Sequence, residues 1–272
     1  MSLHIFDSIH IDKIWGSEDW LVSSHPNGLS LDKDGRTIKD IFGYETNLLT
    51  KIINAEDDLS VQVHPDDKFA KKHESSLGKT ECWYVLSAKE GAQLIIGHSA
   101  PSVDVLIDSI NNNTIDKFMN VVDIKEGDFF FIPAGTIHAI KGGCSILEVQ
   151  QSSDITYRLY DYNRLENDKP RDLHLDKASQ VISESGYTNS IPTASDKSQY
   201  KDTTFIRSKF FTFKRIETKD EEVTIEFGKP VTGTPNSEVI INDKKIMPRQ
   251  GFVSEDGKLT ISSNAEVFIA YV

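Results

Sequence analysis

Ser60-Val61-Gln62-Val63-His64-Pro65-Asp66-Asp67 is the stretch on which the fold turns. In an extended chain alternate side chains share a face. Gln62 and His64 therefore point one way, and Val61 and Val63 point the other. An apolar face backed by two metal-ligand types belongs to a strand that packs outward and carries chemistry inward. Two further segments complete the pattern. Gly78-Lys79-Thr80-Glu81-Cys82-Trp83-Tyr84-Val85-Leu86 supplies a carboxylate near the start of an apolar strand. Gly127-Asp128-Phe129-Phe130-Phe131-Ile132-Pro133-Ala134-Gly135-Thr136-Ile137-His138 reads as strand, tight turn and strand. Pro133 sets the first half of the turn and Gly135 supplies a position that allows φ > 0. Three such hairpin-like strands could converge Gln62, His64, Glu81 and His138 on one ion inside a small barrel.

Working outward, short runs rich in Val, Ile, Phe, Tyr and Thr recur between Gly, Asp, Asn and Pro. They predict strands over 48–54, 59–64, 81–86, 92–96, 128–132, 137–141, 145–151 and 155–162. Ser102 is placed to cap a helix over 103–110, with a second helical turn over 115–120. Residues 163 to 202 turn polar and read as a connection with one short helix over 173–183. Strand character returns over 209–217, 221–227, 237–243, 250–254, 258–262 and 265–272. The expected class is all-β: a jelly-roll barrel with a smaller, degenerate β domain and few helices. The expected division is 1–165 for the metal-binding domain, 166–202 for the connection and 203–272 for the second domain. Since no histidine follows His174, the chemistry belongs to the first part.

The chain has 272 residues and a formal net charge of −12, which argues against a nucleic-acid surface or an anionic membrane as partner. That charge also gives weight to any cation inside a pocket, because an anionic ligand must be recognised locally. No run of 18 apolar residues spans a bilayer, and the first twenty residues do not read as a secretory signal. A cytoplasmic location is expected, with Cys82 and Cys144 as reduced, buried thiols. Cys82 follows Glu81 directly and so faces the other side of its strand. His4, His10, His25, His73, His98 and His174 read individually as packed or surface residues.

The hairpin and its paired ligands resemble the cupin superfamily. In place of the usual His-x-His the chain has Gln62-Val63-His64, and Glu81 follows His64 after seventeen residues. Those departures point to a branch. Gln62-Val63-His64-Pro65-Asp66-Asp67, Lys79-Thr80-Glu81, Ile132-Pro133-Ala134-Gly135-Thr136-Ile137-His138-Ala139 and Glu148-Val149-Gln150-Gln151-Ser152-Ser153-Asp154-Ile155-Thr156-Tyr157-Arg158 resemble the type I mannose-6-phosphate isomerases, in their short bacterial form. Lys13-Ile14-Trp15-Gly16 and Ser24-His25-Pro26-Asn27-Gly28 agree. The segment after Trp15-Gly16 is shorter here than is usual in that family.

The resemblance implies one Zn²⁺ on Gln62, His64, Glu81 and His138, with other divalent metals compatible with the ligand types. It implies interconversion of D-mannose 6-phosphate and D-fructose 6-phosphate through a cis-enediol, hence a phosphosugar partner and a place in carbohydrate metabolism. Arg158, Lys79 and Glu148 match pocket positions of the family. Arg158 suits phosphate or enediolate oxygens, the alternative being an ion pair with Asp154 or Asp161. Glu148, a lone carboxylate on an apolar strand, suits a buried base with a raised pKa. Spacing does not decide which group takes the carbon-bound proton. Two other functions compete: a sugar-phosphate-binding cupin without turnover, and a metal-dependent cupin oxygenase. Lys79 and Arg158 speak against the oxygenase, since an apolar substrate needs no pair of cations.

Overall fold

A computed structural model describes residues 3–184 and 187–272. The first part of the chain builds two antiparallel sheets. One has six strands in the spatial order Phe129–Ile132, Glu81–Ala88, Cys144–Gln151, Leu48–Ala55, Gly16–Val22 and Ile9–Lys13. The other has five, ordered Met119–Asp123, Gln93–His98, His138–Ile140, Val61–Val63 and Tyr157–Tyr160. Their inner faces share one core, in which Ile53, Trp83, Val85 and Ile146 of the first sheet meet Leu94, Ile96 and Ile140 of the second. Each such side chain taken from water contributes about 1.5–3 kcal/mol.

Alternation along the strands then sorts every residue between core and back. Cys82, Tyr84, Leu147 and Val149 leave the opposite face of the six-stranded sheet and pack with Phe205, Phe211, Phe213 and Phe268 from the C-terminal part. Val61 and Val63 likewise leave the back of the five-stranded sheet to meet Leu106 and Ile110 of the helix Val103–Asn111. Gln62, His64 and Glu81 are thereby left on the inside. Ser102 caps the helix as expected, accepting from Val105 N at 3.2 Å.

The C-terminal part forms a seven-stranded and a four-stranded sheet around a second core. Leu3–Phe6, from the stretch read as the metal-binding domain, pairs with Gly251–Ser254 at the edge of the seven-stranded sheet. Thr193–Asp196 and the first three residues of Tyr200–Arg207, from the polar connection, are in strands of that same sheet. The first of these pairings is long-range and leaves no local pattern, whereas Thr193–Asp196 forms a local hairpin with Tyr200–Arg207 in which the short, polar, exposed first strand shows no apolar alternation. The connection also carries the hairpin Leu165–Glu166 with Lys169–Pro170 and a helix limited to Leu175–Ala178. The expected helical turn over 115–120 is corrected: a single 3₁₀ turn, Ile115–Lys117, gives way to the strand Met119–Asp123. The β-branched pair Val121-Val122 favours the strand.

Candidate active site and metal centre

Gln62 lies directly opposite His138 on paired strands, and Glu81 opposite Gln150. The facing sheets bring these positions together. His64 Nε2 lies 3.5 Å from one Glu81 oxygen, His138 Nε2 lies 3.4 Å from the other, and the Gln62 amide group is 3.3 Å from His138 Nε2. His64, Glu81 and His138 are each 1% exposed. Their ligand atoms all lie within 4.8 Å of one another.

Several observations fit this set to a divalent cation. His64 Nδ1 bonds the Ile155 carbonyl at 2.8 Å and His138 Nδ1 bonds the Thr136 carbonyl at 2.9 Å. Those bonds put the ring proton on Nδ1 and turn Nε2 inward as a bare acceptor. Burial holds both imidazoles neutral, His138 down to about 4 and His64 well below its ordinary value. With neutral rings, the contacts to Glu81 are not ion pairs. His64 Nε2 and both Glu81 oxygens have no hydrogen-bond partner, an arrangement costly to bury unless something binds them. Tetrahedral ligands about 2.0–2.1 Å from zinc sit roughly 3.3–3.4 Å apart, close to the separations here. A half-turn of the Gln62 amide puts its oxygen, the atom able to ligate a cation, toward His138.

Beside the cluster runs a cavity of about 400 Å³, whose wall includes Gln62, Lys79, Lys51, Glu148, Arg158 and Arg171. Lys79 Nζ lies 3.3 Å from Glu81, on the ligand's side as its two-residue offset predicts. Glu148 is buried, and both burial and the charge of Glu81 push its carboxyl pKa up. Its Oε2 accepts the Trp83 indole N–H at 2.9 Å, and its Oε1 lies 3.2 Å from the Lys51 ammonium as an ion pair. Arg158 is not paired with Asp154 or Asp161: Asp161 binds Arg164 and Arg171, and Asp154 faces His25 and Asn27. One guanidinium nitrogen of Arg158 donates to the Asp172 carbonyl at 2.7 Å, while Nε is without a partner.

Three charged groups of this wall escaped the sequence reading. Lys51 bridges Glu148 and Glu18, 3.3 Å from the latter, whose second oxygen takes the Trp20 indole N–H at 2.8 Å. Lys51 carried the signal that exposed Glu148, a lone charge in the apolar run Leu48–Ala55. Glu18 sits in a polar stretch and Arg171 in an irregular one, so neither had a local signal. A separate surface hollow of about 540 Å³ beside Lys68, Lys72 and His73 contains none of these groups.

Two facing β sheets with a buried His-Glu-His cluster beside a cation-lined cleft make this a cupin-type protein with an interior suited to one metal ion. Comparison with known proteins narrows the class. The family model for the phosphomannose isomerase type I catalytic domain matches residues 32–91. A mannose-6-phosphate isomerase of Streptococcus mutans is 42% identical over 211 residues, covering 72% of this chain and 67% of the relative. The crystal structure of the mannose 6-phosphate isomerase from Bacillus subtilis superposes over the whole of both chains, with a TM-score of 0.93 and 28% identity. A mannose 6-phosphate isomerase bound with zinc and yttrium shares the fold at 13% identity, with a TM-score of 0.76 and coverage of 100% and 99% of the two chains. The chain belongs to the type I phosphomannose isomerase family.

Proposed function

We propose that the chain is a zinc-dependent aldose–ketose isomerase, interconverting D-mannose 6-phosphate and D-fructose 6-phosphate through a cis-enediol. The observation that carries this reading is the His64, Glu81 and His138 cluster, in which His64 Nε2 and both Glu81 oxygens lack a hydrogen-bond partner, beside a cavity bearing Lys79, Arg158 and Glu148. Gln62, His64, Glu81 and His138 would hold the metal. When bound, it supplies a Lewis acid that polarises sugar oxygens, and the single anionic ligand leaves it about one unit of positive charge.

The remaining work falls to the chain. A proton moves between C1 and C2, so the cavity needs a base, a group for hydroxyl protons and a cation for the enediolate. Glu148 and Lys79 are the proton-handling groups, which contribute about 10²–10⁴-fold in such reactions. Arg158 holds phosphate or enediolate oxygens, its fixed charge unaffected by the proton transfers. Trp15, Trp20 and Trp83 in the cavity wall exclude water from the reacting carbons. We place the machinery on residues 1–165, with Arg171 of the following segment completing the wall. A cytoplasmic setting is supported by the free, buried Cys82 and Cys144.

A coupled assay on zinc-loaded protein tests the reading. Conversion of mannose 6-phosphate to fructose 6-phosphate, lost on chelation and restored by zinc, is the expected result. Tight phosphosugar binding without turnover under any divalent metal would replace it with the non-catalytic cupin.

A further inference from the structure

Tyr157–Tyr160 lies at the edge of its sheet, with Val61–Val63 as its single strand neighbour among the described residues. An edge leaves backbone donors and acceptors open, and here His174 closes it. The His174 N–H donates to the Arg158 carbonyl at 2.8 Å. In return the Arg158 N–H donates to His174 Nδ1 at 3.1 Å. The imidazole thus supplies the acceptor that a neighbouring strand's carbonyl would. Two residues earlier, the Asp172 carbonyl accepts from Arg158 Nη1 at 2.7 Å. Backbone and guanidinium of Arg158 are therefore both held by residues 172–174.

That short segment is itself anchored at both ends. Arg171 gives Nε and Nη2 to the two Asp161 oxygens at 2.8 and 2.6 Å. On the other side, Lys177 and the Tyr157 hydroxyl share Glu74 Oε1 at 2.7 and 2.8 Å. A change at His174 consequently reaches the cavity through Arg158, without passing through any metal ligand.

We propose that His174 is a positioning residue: its Nδ1 accepts the Arg158 N–H and so fixes where the Arg158 guanidinium stands in the cavity wall. Accepting at Nδ1 requires a neutral ring with its proton on Nε2. Burial, and then the charge of Arg158, lower the His174 pKa and favour that form. The inference rests on the isomerase reading above.

His174→Asn and His174→Gln test it in the zinc-loaded protein, by kcat and KM for mannose 6-phosphate alongside metal content. An asparagine oxygen falls where Nδ1 stands, whereas a glutamine carbonyl lies one methylene too far. His174→Asn is expected within about threefold of the parent, and His174→Gln to lose on the order of ten- to a hundredfold in kcat/KM, the cost of a misplacement near 1 Å. Both keep their zinc, and His174→Gln costs nothing further in an Arg158→Ala background. Equal activity in all three proteins, equal losses in the Asn and Gln variants, or an undiminished loss in the Arg158→Ala background would overturn the proposal. An inactive parent would instead strike the isomerase reading.

Discussion

Arg158 stands directly across from Gln62 on neighbouring antiparallel strands. Cross-strand partners share a face, with Cβ atoms about 4.5–5.5 Å apart, and both side chains line the same cavity. A permanent cation and the amide of a candidate metal ligand therefore leave the sheet side by side. The proposed ion site and the proposed sugar-stabilising cation are thus adjacent but carried by different residues, and substitutions should part them.

Arg158→Ala removes the cation and leaves all four candidate ligands in place. Metal content should match the parent while turnover falls about 10²–10³-fold, the usual cost of losing one preorganised donor to a developing oxyanion. Metal analysis and the coupled assay on one preparation check both halves. Unaltered turnover would remove Arg158 from the reaction.

His138→Ala should do the opposite at its first step. Losing one imidazole from a buried set costs more than the roughly 10–100-fold in affinity typical of an outer-shell change. Protein purified without added zinc should then carry little metal, and activity should fall with it. Retention of stoichiometric zinc would mean the ion sits elsewhere.

Acid sensitivity should centre on Glu18. Burial opposes its ionisation, but Lys51, Lys13 and the Trp20 indole N–H prevail and hold its pKa at about 2. A lowered folded-state pKa contributes stability above the unfolded value near 4.5 and loses it as pH falls through 2. The contribution is about 3 kcal/mol. Urea unfolding between pH 5 and 2 should show this loss in the parent and its absence in Glu18→Gln. Parallel pH profiles would refute it.

Gly135 sets the turn that delivers His138. Its φ is +88°, and an added Cβ would meet the Val181 carbonyl at 2.8 Å. Its N–H also donates to the His64 carbonyl at 2.8 Å. Gly135→Ala should cost about 1–3 kcal/mol and weaken metal retention, because both histidines lean on this turn. A melting temperature and zinc content equal to the parent's would show the turn to be tolerant.

Legibility in the sequence followed the range of the interactions. Gln62 with His64, and Lys79 with Glu81, could be placed on shared faces because strand period is local, and Cys82 fell on the opposite face for the same reason. Glu148 stood out as a charge in an apolar strand. The strands Gly16–Val22 and Ile9–Lys13 were not read, because Glu18, Asp19, His10, Asp12 and Lys13 mask their alternation. The helix Asp67–His73 was missed although Asp66 caps it, accepting from Phe69 N at 2.8 Å; Pro65-Asp66-Asp67 reads equally as a turn. The hold of His174 on Arg158 and the pairing of Leu3–Phe6 with Gly251–Ser254 join distant chain positions, which no local periodicity encodes.

The claim beneath all of this is that Gln62, His64, Glu81 and His138 share one ion. Anomalous diffraction at the zinc edge, on crystals of zinc-loaded protein, addresses it most directly. One strong peak within about 2.0–2.2 Å of a donor atom from each of the four side chains is the predicted result. A zinc-loaded crystal with no peak there, or with its peak on other residues, would contradict it.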